Sequence, residues 1–228
     1  MLRLRAVAGG CAAICALAAL VTFSGGASAT QLPGGCSAVG QRVVVARSPW
    51  VVVSRITPPT RSGDGRQRLW CADWLPTGRT TELDDGYGAT TPTRCGLGCA
   101  FAGQVHIAGR YVAYIYREWD HYDSGLDSIS EFDARSGRMI VNPDTDQSLS
   151  DAQACIVKLV LNSRGDVAWL INTAPGSGCV VASGVYEHRP GQATLTLDTS
   201  GSGAIAQLAI TDGTVSWIDG GVPHRVDS

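Results

Sequence analysis

The feature that most constrains the fold is a phrase of two short apolar strands joined by a tight turn, which recurs along the chain. The clearest copy, residues 208–219, turns at Asp212 and Gly213, residue types that suit the backbone of a tight hairpin. The other copies lie at residues 42–54, 105–115 and 158–170. Aligning the second strands puts four valines in register, about 50–60 residues apart, a spacing that indicates a repeat architecture: Val51, Val112, Val167 and Val215.

Second hairpins lie between these phrases, so that each unit is predicted to contain four strands. The clearest, residues 128–140, turns at Ser136 and Gly137, and residues 69–79 and 184–195 match it in position. The last unit stops after residues 222–226, short of a fourth strand, and no segment has sustained helical periodicity. The fold class is therefore predicted to be all-β, with antiparallel units beginning near Gln41, Gln104, Cys155 and Ala204.

Two motifs carry a resemblance to a known family. Apolar strands lead into a Gly-x-Val-Ala/Ser-aromatic phrase, as at residues 165–169, and one such unit is followed by Phe-Asp-x-x-Ser-Gly-Arg at residues 132–138. This combination resembles the blade phrase of WD40-like or TolB-like β-propellers. Residues 41–227 resemble secreted propeller-like proteins of high-GC Gram-positive bacteria. The resemblance implies a short propeller-like array of about four blades, the last one incomplete, and leaves the function open, because propellers host enzymes, scaffolds and receptors alike.

Residues 1–29 have the three parts of a secretory signal peptide. Arg3 and Arg5 form the positive region, residues 6–23 the apolar region, and Ala27, Ser28 and Ala29 the cleavage site. We expect a secreted single domain covering residues 30–228. Removing the two arginines from 18 basic side chains leaves 16 against 20 acidic ones, which disfavours nucleic acid as a partner. No later apolar run approaches the ~20 residues of a spanning helix, so no stable membrane insertion is expected.

Six cysteines follow the predicted signal peptide, an even number that indicates disulfides in an exported chain. Cys155 precedes the first strand of its hairpin and Cys179 follows the second, which predicts that they pair. The remaining four are expected to pair among themselves, either as Cys36–Cys71 with Cys95–Cys99 or crossed. A zinc site at Cys95 and Cys99 is disfavoured, because no second closely spaced cysteine or histidine pair accompanies them.

Two short motifs have simpler interpretations than a functional site. Asp144, Asp146 and Ser148 begin like a calcium loop, but Leu149 stands where the loop needs Gly, so a solvated connector is favoured. We therefore predict no metal site and no cofactor. Residues 164–166 spell an adhesion tripeptide, but they lie where the hairpin must turn, and turn chemistry explains their glycine.

Four aromatic residues recur on the outgoing strand of each first hairpin and are expected to fill the core: Trp50, Tyr114, Trp169 and Trp217. The Gly-x-Ser-x-Gly motif of α/β-hydrolases, the His-Glu-x-x-His motif of metalloproteases, the Walker loop and the Gly-x-Gly-x-x-Gly motif are absent. His106 is expected within a strand, His188 on a hairpin and His224 near the C-terminus, none beside a candidate nucleophile.

The predicted recognition surface is the connection at residues 118–127, which mixes aromatic rings with carboxylates. Its candidate binding residues are Trp119, Asp120, His121, Tyr122 and Asp123, with Asp127 as a further hydrogen-bonding group. The alternative is that these rings fold onto the neighbouring unit and cap it. We favour a secreted, non-catalytic module that binds an extracellular glycan or protein. The alternatives are a propeller-type glycan hydrolase or lyase using Glu118, Asp120 and Asp123, and a half-propeller that dimerises.

Overall fold

The computed structural model describes residues 35–37, 39–57, 68–86, 99–119, 125–141, 155–172, 182–199 and 205–227. Over these residues the chain is all-β, and strands that are consecutive in sequence pair antiparallel in four separate sheets. The one helical element among them is a 3-10 turn at Gly35–Ser37. Within this described part of the chain, no helix is long and apolar enough to cross a bilayer.

The four sheets use the strands in sequence order. The first sheet contains β1 (Gln41–Arg47), β2 (Val51–Thr57), β3 (Arg68–Trp74) and β4 (Arg79–Gly86). The second contains β5 (Cys99–Ala108), β6 (Tyr111–Trp119), β7 (Gly125–Asp133) and β8 (Arg138–Val141). The third contains β9 (Cys155–Leu161), β10 (Val167–Asn172), β11 (Gly184–His188) and β12 (Leu195–Thr199), and the fourth β13 (Ala206–Thr211), β14 (Thr214–Asp219) and β15 (Val222–Asp227).

The predicted strands and their antiparallel pairing are confirmed, and the main difference lies at β5. That strand begins at Cys99, upstream of the start expected near Gln104. The register shifts between Gly103 and His106, and Gln104 has a φ of 46°. A β-bulge of this kind inserts a residue and breaks the alternation of apolar and polar positions. The alternating pattern therefore indicated only the part of β5 that follows the bulge.

Each sheet packs on the next through a separate apolar cluster. Val53, Trp70 and Leu83 of the first sheet meet Val112, Tyr114 and Phe132 of the second. Ile115 and Ile129 of the second sheet meet Leu159 and Trp169 of the third. Leu170 and Val185 of the third sheet meet Leu208, Val215 and Trp217 of the fourth. The four valines that align in the sequence, Val51, Val112, Val167 and Val215, are all 0% exposed.

Trp50 departs from the expectation that the recurring aromatics fill the core. Tyr114, Trp169 and Trp217 are buried, but Trp50 is 52% exposed and stacks on Trp74 with 6.3 Å between ring centroids. The three buried rings each follow the aligned valine by two positions. In the first sheet that position is Val53, which is fully buried. The prediction for Trp50 was wrong because this residue lies in the turn before β2.

The disulfide of the first sheet joins Cys36 to Cys71 of β3, which selects the first of the two predicted pairings for these residues. Cys71 is fully buried beside Ile56 and Leu69. Cys155 also takes part in a disulfide. The predicted partner, Cys179, lies outside the described residues, as does Cys95, and the side chain of Cys99 is not described. The Cys155–Cys179 and Cys95–Cys99 pairings therefore stay predictions.

Candidate functional site

The residues predicted to bind a ligand fall largely outside the described part of the chain. The backbone of Trp119 ends β6 and pairs with Gly125, whereas its side chain is not described. Asp120, His121, Tyr122 and Asp123 lie between the described ranges, as do the calcium candidates Asp144, Asp146 and Ser148. The recognition role of residues 119–123 stays a prediction.

Asp127 was predicted to be available to a ligand, and this prediction was wrong. Asp127 lies within β7 and is buried, and its two carboxylate oxygens accept hydrogen bonds from Nε and Nη2 of Arg117, both at 2.5 Å. The backbone N–H of Ile156 in β9 donates to the same carboxylate at 2.8 Å. Strands β6 and β7 extend further than expected, so only residues 120–124 connect them.

A cleft of about 400 Å³ between the second and third sheets is the candidate functional site among the described residues. The second sheet contributes Arg110 and Tyr111 before and at the start of β6, Asp133 at the end of β7, and Arg138 and Ile140 of β8. The third sheet contributes His188 and the turn that follows β11, which contains Pro190, Gly191 and Gln192. Charged, aromatic and apolar groups thus meet in one concave surface, as in most ligand sites.

The charge of the cleft is dominated by two guanidinium groups. Arg110 is held in place: Nη2 donates to the Tyr111 hydroxyl at 2.7 Å, and Nε lies 3.5 Å from the Asp133 carboxylate. The hydrogen bond to Tyr111 and the charge of Asp133 both raise the pKa of Arg110. Arg138 is exposed, and no ion pair with it occurs among the described residues. The cleft therefore has one cation fixed by its neighbours and one available to a ligand.

A fully buried carboxyl group lies on β7, two residues before Asp133 of the cleft. Glu131 of β7 is 0% exposed, and neither of its carboxyl oxygens has a hydrogen-bond partner among the described residues. Burial is the main cause that raises its pKa to about 8, and the negative charges of Asp166 and Asp133 raise it further. Glu131 is therefore mostly protonated at neutral pH. It does not line the cleft.

The hairpin turn at residues 162–166 approaches Glu131 closely. The side-chain oxygen of Asn162 accepts the N–H of Arg164 at 2.9 Å and that of Asp166 at 3.0 Å, which shapes the turn. Gly165 has a φ of 87°, and a Cβ there would lie 2.9 Å from the Tyr111 ring and 3.0 Å from a Glu131 oxygen. The structural role predicted for the Arg-Gly-Asp tripeptide as a turn is confirmed.

A second cluster of polar side chains lies between the third and fourth sheets. Asp198 of β12, Asp219 of β14 and His224 of β15 each place a possible ligand atom within 4.8 Å of the others. The indole N–H of Trp217 donates to Asp198 at 2.7 Å, and its ring stacks on His224 with 5.5 Å between centroids. These residues could hold a metal ion, which the sequence analysis did not predict.

Part of this cluster could have been predicted from the spacing of residues on one hairpin. Trp217 and Asp219 are two positions apart on β14 and therefore share a face, and His224 is the cross-strand neighbour of Trp217. The third member, Asp198, comes from a different sheet. Its approach depends on how the two sheets pack, and no local pattern indicates it.

Comparison with known proteins finds no matching protein-family model and no matching curated protein. The resemblance to propellers thus rests on the sequence phrases given above.

Proposed function

We propose that the chain is a secreted, non-catalytic binding module, and that the cleft between the second and third sheets binds an acidic extracellular glycan. The observation that carries this proposal is that Arg110 and Arg138 both line the same concave surface. The lining residues include only one carboxylate, that of Asp133, so positive charge is in excess. A ligand carrying carboxylate groups complements that excess of positive charge.

Arginine is well suited to such recognition because its planar guanidinium donates two parallel hydrogen bonds to a carboxylate or sulfate. Arg110 is already oriented by Tyr111 and Asp133, so little side-chain freedom is lost when a ligand binds. Arg138 adds a second cation, and Ile140 and Pro190 supply apolar contact for the faces of sugar rings. Gln192, which is exposed, adds a polar group.

The proposed fold is a short propeller-like array in which the four sheets act as blades. Three features support it: strands pair in sequence order, each sheet packs on the next, and the aligned valines are all buried. In such arrays, ligands commonly meet loops and turns that neighbouring units present together. The cleft has this character, because the turn after β11 faces residues of β8.

The cleft lies far from the end of β6, where the predicted recognition residues begin. Tyr111 begins β6 at the cleft, and Trp119 ends the same strand. At about 3.3 Å per residue, they are separated by roughly 25 Å. A short ligand bound in the cleft therefore does not reach Trp119, and the described charges favour the cleft.

The described carboxyl groups do not favour the glycosidase alternative. That chemistry needs two accessible carboxyl groups flanking the scissile bond, one of them an acid with a raised pKa. Glu131 has the raised pKa but is fully buried and does not line the cleft. Asp133 lies within ion-pair distance of Arg110. Glu118, Asp120 and Asp123 belong to the part of the chain whose side chains are not described.

The test is the affinity of the protein for oligogalacturonate, with a neutral oligosaccharide of the same length as the ligand control. The variant Arg138→Gln removes the available cation of the cleft. Arg135→Gln is the matched control, because Arg135 is an exposed arginine in the adjacent turn that does not line the cleft. We expect Arg138→Gln to weaken binding by about tenfold or more and Arg135→Gln to leave it unchanged. Equal affinities for the two variants would refute the assignment.

A second candidate function, self-assembly, is favoured by the surface of β1. Val43, Val44 and Val45 are 39%, 58% and 41% exposed, and β1 is an edge strand of the first sheet among the described strands. An edge strand with consecutive exposed apolar residues is a template for pairing with another chain. In this second proposal, the chain is a half-propeller, and two copies dimerise through the β1 edge.

A further inference from the structure

We propose that Asp198, Asp219 and His224 form a binding site for a divalent transition-metal ion, and that zinc is the ion it takes. The three side chains come from β12, β14 and β15 and meet where the third sheet packs on the fourth. This site is independent of the glycan-binding cleft, which lies between the second and third sheets. Failure of either proposal leaves the other standing.

The spacing of the three groups suits a single ion. Their possible ligand atoms lie within 4.8 Å of one another. Around a tetrahedral zinc ion with bonds of about 2.0–2.1 Å, neighbouring ligand atoms lie about 3.4 Å apart. Rotations of the side chains of the two aspartates and the histidine would have to supply the remaining approach.

The donor set indicates zinc and disfavours calcium or magnesium. Calcium and magnesium prefer oxygen donors, whereas an imidazole nitrogen suits zinc and its neighbours in the transition series. Two ionised carboxylates and one neutral imidazole carry two negative charges, which match the charge of the ion. Three protein ligands also leave the fourth tetrahedral position for water or another ligand, as in open zinc sites.

Two further contacts show that these groups are held in place. The Trp217 indole N–H donates to one oxygen of Asp198 at 2.7 Å, which orients the carboxylate and leaves its other oxygen for a metal. Such outer contacts commonly fix the ligands of metal sites. The same indole stacks on the imidazole of His224, with 10° between the ring planes. Trp217 itself is buried.

Asp219 is half-buried, and one of its carboxylate oxygens lacks a hydrogen-bond partner among the described residues. Its Oδ1 atom is inaccessible to solvent and accepts no hydrogen bond from the described residues. A buried carboxylate oxygen without a donor is unfavourable. A cation shared with Asp198 and His224 would satisfy this atom.

The test is a calorimetric titration of the untagged, chelator-treated full chain with zinc chloride. We expect one zinc ion per chain and a higher melting temperature in zinc. Asp219→Asn and His224→Gln each remove one ligand with little change in size, and should weaken zinc binding at least about tenfold. Asp212→Asn is the control, because Asp212 is an exposed aspartate in the β13–β14 turn whose positive φ of 47° asparagine tolerates.

Trp217→Phe separates positioning from coordination. It keeps an aromatic ring on His224 but removes the donor to Asp198, so zinc should bind about 10–100-fold more weakly. Melting curves recorded without zinc must match the wild type for a ligand variant to count. If the melting curve of Asp219→Asn without zinc differs from that of the wild type, the test rests on His224→Gln. His224 lies on the edge strand β15, where a substitution disturbs the fold less. Zinc binding that persists in the folded ligand variants overturns the proposal, and so does calcium binding tighter than zinc.

Discussion

Arg117 and Asp127 face each other across β6 and β7 and form a bidentate ion pair whose carboxylate is almost completely withdrawn from water. The two N–O distances are both 2.5 Å, and the side chain of Asp127 is 1% exposed. The hydrogen bond to Asp127 is the main cause that raises the pKa of Arg117. Because Asp127 also accepts the N–H of Ile156, the pair ties the second sheet to the third.

The variant Asp127→Asn should therefore destabilise the fold substantially. It leaves Arg117 partly buried without its counter-charge, and breaking a buried pair costs about 3 kcal/mol or more. Urea unfolding followed by tryptophan fluorescence measures this change. Asp227→Asn is the control, because its pair with Arg225 is exposed and contributes at most about 1 kcal/mol. An equal loss of unfolding free energy in the two variants would show that the contact of Asp127 with Arg117 and Ile156 does not stabilise the fold.

Glu131 should make stability fall as pH rises from about 4.5 to about 8. Its pKa is raised from 4.5 in the unfolded chain to about 8 in the folded protein, so over this range the folded state keeps a proton that the unfolded state releases. Its contribution to stability is complete below pH 4.5 and is lost as pH approaches 8. The variant Glu131→Gln removes this dependence and should be more stable than the wild type at pH 8, by a few kcal/mol at most. Denaturant midpoints recorded across the range test this, and parallel pH profiles for the two proteins would contradict it.

Gly165→Ala should lower the free energy of unfolding by more than the positive φ of this residue alone accounts for. The added methyl group would press on the Tyr111 ring and on Glu131. Gly78 offers a matched control: its φ of 68° is also positive, but a Cβ there meets nothing within 4 Å. We expect about 1 kcal/mol for Gly78→Ala, and an additional 1–3 kcal/mol, roughly, for Gly165→Ala. Thermal unfolding of both variants gives the difference, and similar losses would show that the turn can move away from Glu131.

The exposed valines of β1 make self-assembly testable by light scattering coupled to size exclusion. If the β1 edge pairs with a second copy, the wild type should elute as a dimer. Val44→Lys should then give a monomer, since a charge on an edge strand opposes pairing. Leu75→Lys changes an exposed leucine outside β1 and should leave the dimer intact. A wild-type monomer would remove this second candidate function.

The fold could be predicted from local patterns because the strands alternate and the turns carry glycine. The buried positions of Val51, Val112, Val167 and Val215 follow from one phrase. The same reasoning failed at Trp50, since an apolar aromatic in a turn looks like a core residue until the strand boundary is known. It also missed the first part of β5, where the bulge at Gln104 breaks the period.

The candidate sites were less predictable because they depend on packing between sheets. The cleft joins Arg110 and Arg138 to a turn of the third sheet, and the candidate metal site joins Asp198 of the third sheet to His224 of the fourth. No sequence period relates these partners. Asp127 shows the same effect in reverse: its carboxylate looked available on a loop, and strand extension buried it beside Arg117.

Hydrogen exchange in the presence of oligogalacturonate tests the location of binding most directly. If the cleft is the binding site, the ligand should slow exchange in the β7–β8 turn and β8, residues 134–141, and in the turn after β11, residues 189–194. Peptides covering residues 119–125 should be unaffected, and a neutral oligosaccharide should protect neither region. Protection of residues 119–125 with an unchanged cleft would contradict the proposed site and return recognition to the β6–β7 connection.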